Sequence, residues 1–131
     1  MKEPAKKTAL VAQAEGNAGT TIELLRQLGW ESVAVRSWLD AERLIRQQNF
    51  EVLVADYFFR GDEGLSLVTR WREQEIRLRI LFVSDAPFQG SVPVEYFGFC
   101  GLVLKPLCGE KLKCALKDLL QSKDAAGPEW T

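Results

Sequence analysis

Residues 51–56 read EVLVAD, an apolar run rich in valine that ends in Asp56. This composition is typical of a central β-strand covered on both faces. Two later apolar runs also end in a polar residue, ILFVS in Ser84 and GLVLK in Lys105. Because the carboxyl ends of parallel strands line one crevice of an open sheet, we expect Asp56, Ser84 and Lys105 to lie together. A carboxylate, a hydroxyl and an ammonium gathered in one crevice indicate a site that accepts and holds a phosphoryl group.

Upstream of this run, the pattern predicts a first strand and a first helix. Residues 8–12 form a short apolar run, as expected of a strand covered on both faces. After a predicted break at residues 16–17, a helical spacing begins at Thr21 and stops at Gly29, which is a common residue just beyond a helix end.

A second unit precedes residues 51–56, and a loop and a helix follow them. Residues 32–36 alternate as a strand does, and Ser37 with Asp40 three positions later resembles a capping box for the next helix. Residues 57–64 are predicted to form a loop. Residues 65–75 are predicted to form the next helix.

The last part of the chain supplies two more strands and the clearest amphipathic helix. Residues 78–84 and 102–104 are predicted strands, and leucines at helical spacing within residues 112–120 predict the final helix. Between the two strands, residues 85–100 contain two prolines and two glycines, so a helix there would be short or distorted. Five alternating strand–helix units of this kind require a parallel sheet with helices on both faces.

Composition excludes several classes of function. The 131 residues suit one domain, and 47% hydrophobic with 27% charged residues is ordinary for a soluble globular protein. A net charge of −1 without a basic block argues against direct nucleic-acid binding by this segment. The chain has no histidine, so it offers neither a Ser-His nor a Cys-His dyad and cannot carry phosphohistidine.

The cysteines and the N-terminal residues indicate a cytoplasmic protein. Cys100, Cys108 and Cys114 are odd in number and lack the C-x-x-C spacing of a zinc site, so we interpret them as packing thiols in a reducing compartment. The start, MKEPAKK, is followed by only a short apolar run, which predicts neither a signal peptide nor a membrane span.

Four features of the sequence have the relative spacing that is found in a known family. They are Asp56 at the end of the third strand, Gly64 eight residues later, Ser84 with a small Ala86 after the fourth strand, and Lys105-Pro106 after the fifth. Together they resemble the receiver domain of two-component response regulators. The resemblance implies a flavodoxin-like (βα)5 doubly wound sheet of five parallel strands in the order 2-1-3-4-5, with a short or irregular fourth helix. The predicted domain is residues 8–122, between an N-terminal tail at 1–7 and a C-terminal tail or linker start at 123–131.

The resemblance also implies a role for each residue of the crevice. Asp56 would be the phosphoacceptor, which takes phosphate from a histidine kinase or a phosphotransfer protein. Lys105 would pair with the phosphoryl oxygens, Ser84 would hydrogen-bond one of them as the switch, and the bond between Lys105 and Pro106 would be cis. The backbone carbonyl of Phe58 matches the position that helps to hold magnesium in the family.

The sequence departs from the family at the metal site. The family's acidic pair after the first strand falls on Gln13 and Ala14, and alanine has no ligand atom. Gln13 offers only a neutral oxygen, and Glu15 stands one position further along. Magnesium would therefore bind at most weakly, through Asp56, Phe58, Glu15 and Gln13, although in the family it offsets the charge of phosphoryl transfer.

Two further departures concern the switch and the charge near the crevice. The family's aromatic switch residue falls on Leu102, which presents no ring edge and no hydroxyl. Arg60 stands in the stretch after the phosphoacceptor, where it would either partly replace the metal or remain solvated. Both departures concern residues that transmit or accompany phosphorylation in the family.

Three functions stay open at this point. The first is a receiver domain of a two-component phosphorelay, phosphorylated on Asp56 with impaired magnesium dependence, either free-standing or part of a hybrid kinase or multidomain regulator. The second is a phosphorylation-independent pseudo-receiver, an interaction or dimerisation module in which Asp56 only forms a structural ion pair with Lys105. The third, a small flavodoxin-like enzyme or nucleotide binder, ranks last because AEGNAGTT lacks the lysine and spacing of a P-loop. Receiver domains are not usually counted as enzymes, so we do not expect this protein to be one. The sequence does not decide whether the protein forms a homodimer.

Overall fold

Five parallel strands form the central sheet of the computed structural model, which describes residues 7–85 and 100–121. The chain's strands are β1 (Thr8–Ala12), β2 (Glu31–Ala34), β3 (Val52–Asp56), β4 (Phe58–Phe59), β5 (Asp62–Glu63), β6 (Arg79–Ser84) and β7 (Cys100–Leu104). The large sheet has the order β2-β1-β3-β6-β7, and each neighbouring pair is parallel. Since β6 and β7 are its fourth and fifth strands, the predicted order 2-1-3-4-5 is confirmed.

Four helices cover the two faces of this sheet in the described part of the chain. They are α1 (Glu15–Gln27), α2 (Trp38–Gln47), α3 (Gly64–Glu73) and α4 (Gly109–Gln121). The predicted irregular helix in residues 85–100 lies almost entirely outside the described residues. None of the helices in ranges 7–85 and 100–121 is long and apolar enough to cross a bilayer.

Alternating strand residues divide the core into two layers, one on each face of the sheet. Because successive side chains of a strand point to opposite faces, Leu53 and Ala55 of β3 pack with α2 and α3, whereas Val52 and Val54 pack with α1 and α4. All five residues of β3 are buried. The run EVLVAD therefore forms the middle strand that both layers share.

The ends of α1 and α2 follow from local sequence. The Ser37 hydroxyl accepts a hydrogen bond from the Asp40 backbone N–H at 3.1 Å, so the predicted N-cap is present. Gly29 has φ +91°, the left-handed conformation that glycine tolerates just beyond a helix. The predicted break at residues 16–17 is wrong, because α1 already begins at Glu15 and its buried face holds the first turn on the sheet.

The predicted loop at residues 57–64 contains a short antiparallel hairpin formed by β4 and β5. Arg60 and Gly61 form its two-residue turn, with φ of 57° and 85°, as in a type I′ turn. Phe59 is buried and its ring centroid lies 4.8 Å from that of Trp38, in an edge-on contact. This contact attaches the hairpin to the start of α2. The hairpin was not predicted because its two short strands show no alternating apolar pattern.

A buried acid connects α2 to α3. Glu42 is only 7% exposed, and its carboxylate accepts a hydrogen bond from the Trp71 indole N–H at 2.8 Å. The Arg70 guanidinium lies 3.0 Å from the same oxygen. The charge is thus both paired and hydrogen-bonded, as buried charges require.

The three cysteines do not all pack as predicted. Cys108 and Cys114 are exposed, and only Cys100 packs partly against the core. Burial raises the pKa of the Cys100 thiol to about 12. The interpretation as packing thiols is therefore wrong for two of the three.

Gly64 begins α3 where the backbone passes close to two aromatic rings. A Cβ on this residue would lie 2.7 Å from atoms of both Phe82 and Tyr57. Those two rings pack edge-on at 5.4 Å and neither is free to withdraw, because Phe82 is fully buried and Tyr57 nearly so. Only glycine fits at this position, because any side chain would overlap the two rings.

We expect Gly64→Ala to destabilise the fold by about 1–3 kcal/mol, since the added methyl overpacks the core. Gly19→Ala is the matched control. It lies inside α1 with nothing within 4 Å of its Cβ, so it should instead stabilise by about 0.5–1 kcal/mol. Urea unfolding followed by tryptophan fluorescence measures both. Equal effects of the two substitutions would contradict the packing described here.

We expect two thiols to react quickly with a disulfide reagent at pH 8 and one to react slowly. The slow thiol is Cys100, whose raised pKa of about 12 leaves almost no thiolate at that pH. Its rate should increase as the pH rises towards that value. The Cys100→Ser variant should lose only the slow phase; loss of a fast phase would contradict the assignment.

Candidate crevice at the strand ends

The register of the sheet places the three residues predicted from strand ends at one edge. Asp56 of β3 pairs with Val83 of β6, so Ser84 follows directly beside it. Ser84 in turn pairs with Leu104, and its carbonyl accepts a hydrogen bond from the Lys105 N–H at 2.8 Å. The Lys105 ammonium lies 3.9 Å from the Asp56 carboxylate. The structure therefore brings Asp56, Ser84 and Lys105 to the same strand ends.

The Asp56 carboxylate is buried and surrounded by nitrogen donors. The Gln13 side-chain amide donates to Oδ1 at 3.0 Å, and the Ala14 backbone N–H donates to Oδ2 at 2.9 Å. The Asn17 side-chain amide also donates to Oδ2, at 3.3 Å. Asp56 is only 5% exposed. Three hydrogen bonds from the end of β1 and the start of α1 thus hold the carboxylate in place.

These donors are neutral, and Lys105 supplies the positive charge. Its ammonium lies between two carboxylates, 3.9 Å from Asp56 and 3.8 Å from the exposed Asp85. The peptide bond from Lys105 to Pro106 is cis. The crevice thus resembles an anion-stabilising pocket that is already filled by the protein's own carboxylate.

The described residues do not form a site suited to a hard divalent cation. No group of three or more His, Cys, Asp or Glu side chains in residues 7–85 and 100–121 could hold a metal ion. Glu15 is exposed in the first turn of α1, and Phe58 lies in the hairpin. Gln13 turns its amide nitrogen to Asp56, while its buried Oε1 has no partner among the described residues. Both oxygens of Asp56, the carboxylate most strongly predicted as a magnesium ligand, already accept protein hydrogen bonds.

Leu102 occupies the switch position of the family on the opposite side from α4. It pairs with Phe82 in the sheet and is partly buried against the layer that contains α2 and α3. A leucine in that layer contributes apolar packing. Its side chain has no polar atom and therefore cannot form a hydrogen bond to the residues of the crevice.

Gln13 lines two separate grooves. One, of about 470 Å³, is also lined by Asn17, Thr21, Lys105 and Pro106, so it adjoins the crevice. The other, of about 600 Å³, is lined by residues of α1, the end of β2 and the hairpin, among them Arg60. Arg60 therefore lines the second groove and not the one that adjoins Lys105.

Two donors to Asp56 were not predicted from the sequence. The sequence predicts a break at Asn17, but in the helix that begins at Glu15 this asparagine stands one turn after Gln13 and faces the same strand end. The Ala14 side chain cannot bind a metal, but its backbone N–H donates to the carboxylate. Both contacts depend on the first turn of α1 being helical.

The fold matches structures of one class of signalling domain. A response regulator receiver domain from Methylobacillus flagellatus superposes with a TM-score of 0.72, at 23% identity, over 88% of this chain and 99% of that one. The chain has the fold of response regulator receiver domains. A receiver domain protein from Clostridium thermocellum gives 0.73 at 12% identity, over 92% of this chain and 98% of that one.

A third structure with the receiver fold comes from a hybrid histidine kinase. The receiver domain of the hybrid histidine kinase CckA superposes with a TM-score of 0.65 at 19% identity, over 88% of this chain and 99% of that domain. No protein-family model and no curated sequence matches the chain. The shared feature is therefore the three-dimensional arrangement, which is retained at low identity.

We expect Asp56→Asn to lower the free energy of unfolding by about 1–3 kcal/mol. In a crevice lined by acids, removing a charge would relieve repulsion. Here the substitution removes charge-assisted hydrogen bonds and turns an amide group towards other N–H donors. Asp85→Asn is the control, since Asp85 lies as near to Lys105 but its side chain is 87% exposed. A more stable Asp56→Asn variant in thermal unfolding would contradict this description.

Proposed function

We propose that the chain is a receiver domain of two-component signalling whose magnesium-dependent phosphorylation on Asp56 is impaired. The observation that carries this proposal is the carboxylate of Asp56, held by Gln13, the Ala14 backbone and Asn17 at a receiver strand end. The receiver fold of the neighbours supports the general class. The donors at the usual place of metal-binding acids support the impairment.

Phosphorylation would use the crevice residues in distinct roles. One Asp56 oxygen would form a bond to phosphorus as the P–N bond of a donor's phosphohistidine breaks, and the imidazole would leave with the electron pair and take up a proton. The Lys105 ammonium would turn from the carboxylate to the phosphoryl oxygens and would pair with their negative charge. Ser84, directly beside Asp56, would donate its hydroxyl to one of those oxygens after transfer.

The hydrogen bonds to Asp56 would slow this reaction. The attacking oxygen must give up at least one of them, and a hydrogen bond to a charged group contributes about 1.5–3 kcal/mol. Each 1.36 kcal/mol added to the barrier slows a reaction about tenfold, so one lost bond costs roughly 10- to 100-fold. In addition, Lys105 alone would offset the negative charge that develops during transfer, because the crevice lacks the set of carboxylates that would bind a cation there.

The phosphoryl donor would be a histidine kinase or a phosphotransfer protein, because this chain contains no histidine of its own. The domain would work either alone or joined to other domains in a hybrid kinase or multidomain regulator. The hybrid histidine kinase CckA contains a receiver of the same fold, which supports the second arrangement.

One observation favours a second function, that of a phosphorylation-independent interaction module. Asp56 accepts hydrogen bonds from Gln13 and the Ala14 backbone and lies 3.9 Å from the Lys105 ammonium, so its carboxylate is satisfied without phosphate. In that case control would pass through protein contacts or dimerisation. Magnesium would bind weakly in either case.

We expect incubation with acetyl phosphate and magnesium to leave the intact mass of the protein largely unchanged. The Gln13→Asp/Ala14→Asp variant should bind magnesium more tightly, as read by tryptophan fluorescence, and should gain the mass of one phosphoryl group. Its added carboxylates would hold the cation that the crevice lacks.

The matched control adds Asp56→Ala to the same double variant, which should remove the added mass. Near-complete conversion of the unaltered protein, lost again in Asp56→Ala, would refute the impaired site. A double variant that gains neither magnesium affinity nor phosphate would show that the hydrogen bonds alone do not explain the block.

A further inference from the structure

The groove beside the hairpin has the size of a small-molecule site and a mixed lining. At about 600 Å³ it lies within the usual range for ligand pockets. Its apolar lining includes Ala18, Gly19 and Ile22 of α1 and Phe59 of the hairpin. Asp56 and Lys105 do not line it, so it is separate from the phosphoryl crevice.

Two arginines line this groove. Arg36 follows β2 and Arg60 occupies the hairpin turn, and both are exposed. Among the side chains that the structure describes, neither guanidinium has an ion pair or hydrogen bond. Arg60 also adopts φ 57°, a left-handed conformation that favours glycine or asparagine. The turn therefore places a guanidinium at this groove in spite of an unfavourable backbone conformation.

An aromatic ring stands beside the two charges. Phe58 lines the groove and is 67% exposed, whereas its neighbour Phe59 is buried. Tyr57 packs edge-on against the Phe58 ring with centroids 5.0 Å apart, which orients the ring. A large apolar ring held in an exposed position is suited to stacking against a planar partner.

From this arrangement we infer that the groove binds a small anion that carries a planar ring, the chemical class of a nucleoside monophosphate. Arg36 and Arg60 bind the phosphate, with which guanidinium groups form paired hydrogen bonds. Phe58 stacks on the ring, as aromatic side chains do with bases.

The other polar groups of the groove are consistent with this ligand. Glu15 is the one acid in the lining, so the groove keeps a net positive charge beside the two arginines. Gln13 lies between the groove and the crevice, and its unpartnered buried oxygen is an acceptor towards which a ring amino group could donate. The ligand requires no P-loop, because side chains rather than a glycine-rich loop hold the phosphate.

The experiment is isothermal titration calorimetry of the full chain with adenosine monophosphate, phenyl phosphate, inorganic phosphate and adenosine, all in EDTA. EDTA removes magnesium, so the result does not depend on phosphorylation chemistry. We expect saturable binding of adenosine monophosphate or phenyl phosphate, at least tenfold tighter than inorganic phosphate or adenosine. Absence of saturable binding of both ring phosphates at about 1 mM would overturn the inference.

Variants locate the binding in the groove. Arg36→Gln and Arg60→Asn should each weaken binding by about tenfold or more, which is the contribution of one charge-assisted contact. Arg60→Asn should not lower the melting temperature, because asparagine accepts the left-handed turn. Arg43→Gln, on the exposed part of α2, is the matched control and should leave affinity unchanged.

A groove-filling variant separates this site from the crevice. Gly19→Trp should abolish binding while the protein stays folded, since nothing lies within 4 Å of a Cβ at that position. Asp56→Asn should leave binding unchanged. Binding that survives Gly19→Trp but is lost in Asp56→Asn would place the ligand in the crevice and overturn the inference, without bearing on whether Asp56 accepts phosphate.

Discussion

The Asp56 carboxylate and its three nitrogen donors are the interaction on which the strand-end edge depends. They connect the end of β3 to the end of β1 and to the first turn of α1, and Lys105 adds the loop after β7. A buried carboxylate is costly unless it is paired or hydrogen-bonded, and these groups meet that requirement within one chain. Protein donors therefore satisfy this carboxylate without a ligand from solution.

Much of the fold could be predicted because burial leaves a strong pattern in sequence. The alternating apolar runs predicted a parallel sheet and the polar residues at three strand ends predicted the meeting of Asp56, Ser84 and Lys105, whereas the strand order came from the family resemblance. The hairpin after β3 was missed because Arg60 is an unusual residue for its left-handed turn. The contact of Asn17 with Asp56 was missed because glycines concealed the first turn of α1. Pairings between distant residues that use neutral amides or backbone N–H groups leave little trace in sequence.

The electrostatics of this edge are the reverse of those of a magnesium site. Neutral amides donate to the carboxylate in the crevice, and two arginines, which have no partner among the described side chains, line the neighbouring groove. Gln13 lines both grooves, with its nitrogen donating to the Asp56 carboxylate and its oxygen unpartnered among the described residues. The edge is therefore suited to negative charge, whether that charge belongs to Asp56 or to a molecule from solution.

The contact between Trp38 and Phe59 gives the protein an intrinsic optical probe. Trp38 is buried, its indole N–H has no partner among the described residues, and its ring meets the hairpin edge-on at 4.8 Å. The emission of an indole depends on the polarity and contacts of its surroundings. A displacement of the hairpin would therefore change the Trp38 contribution to the emission, which could be separated from that of the other three tryptophans by replacing Trp38.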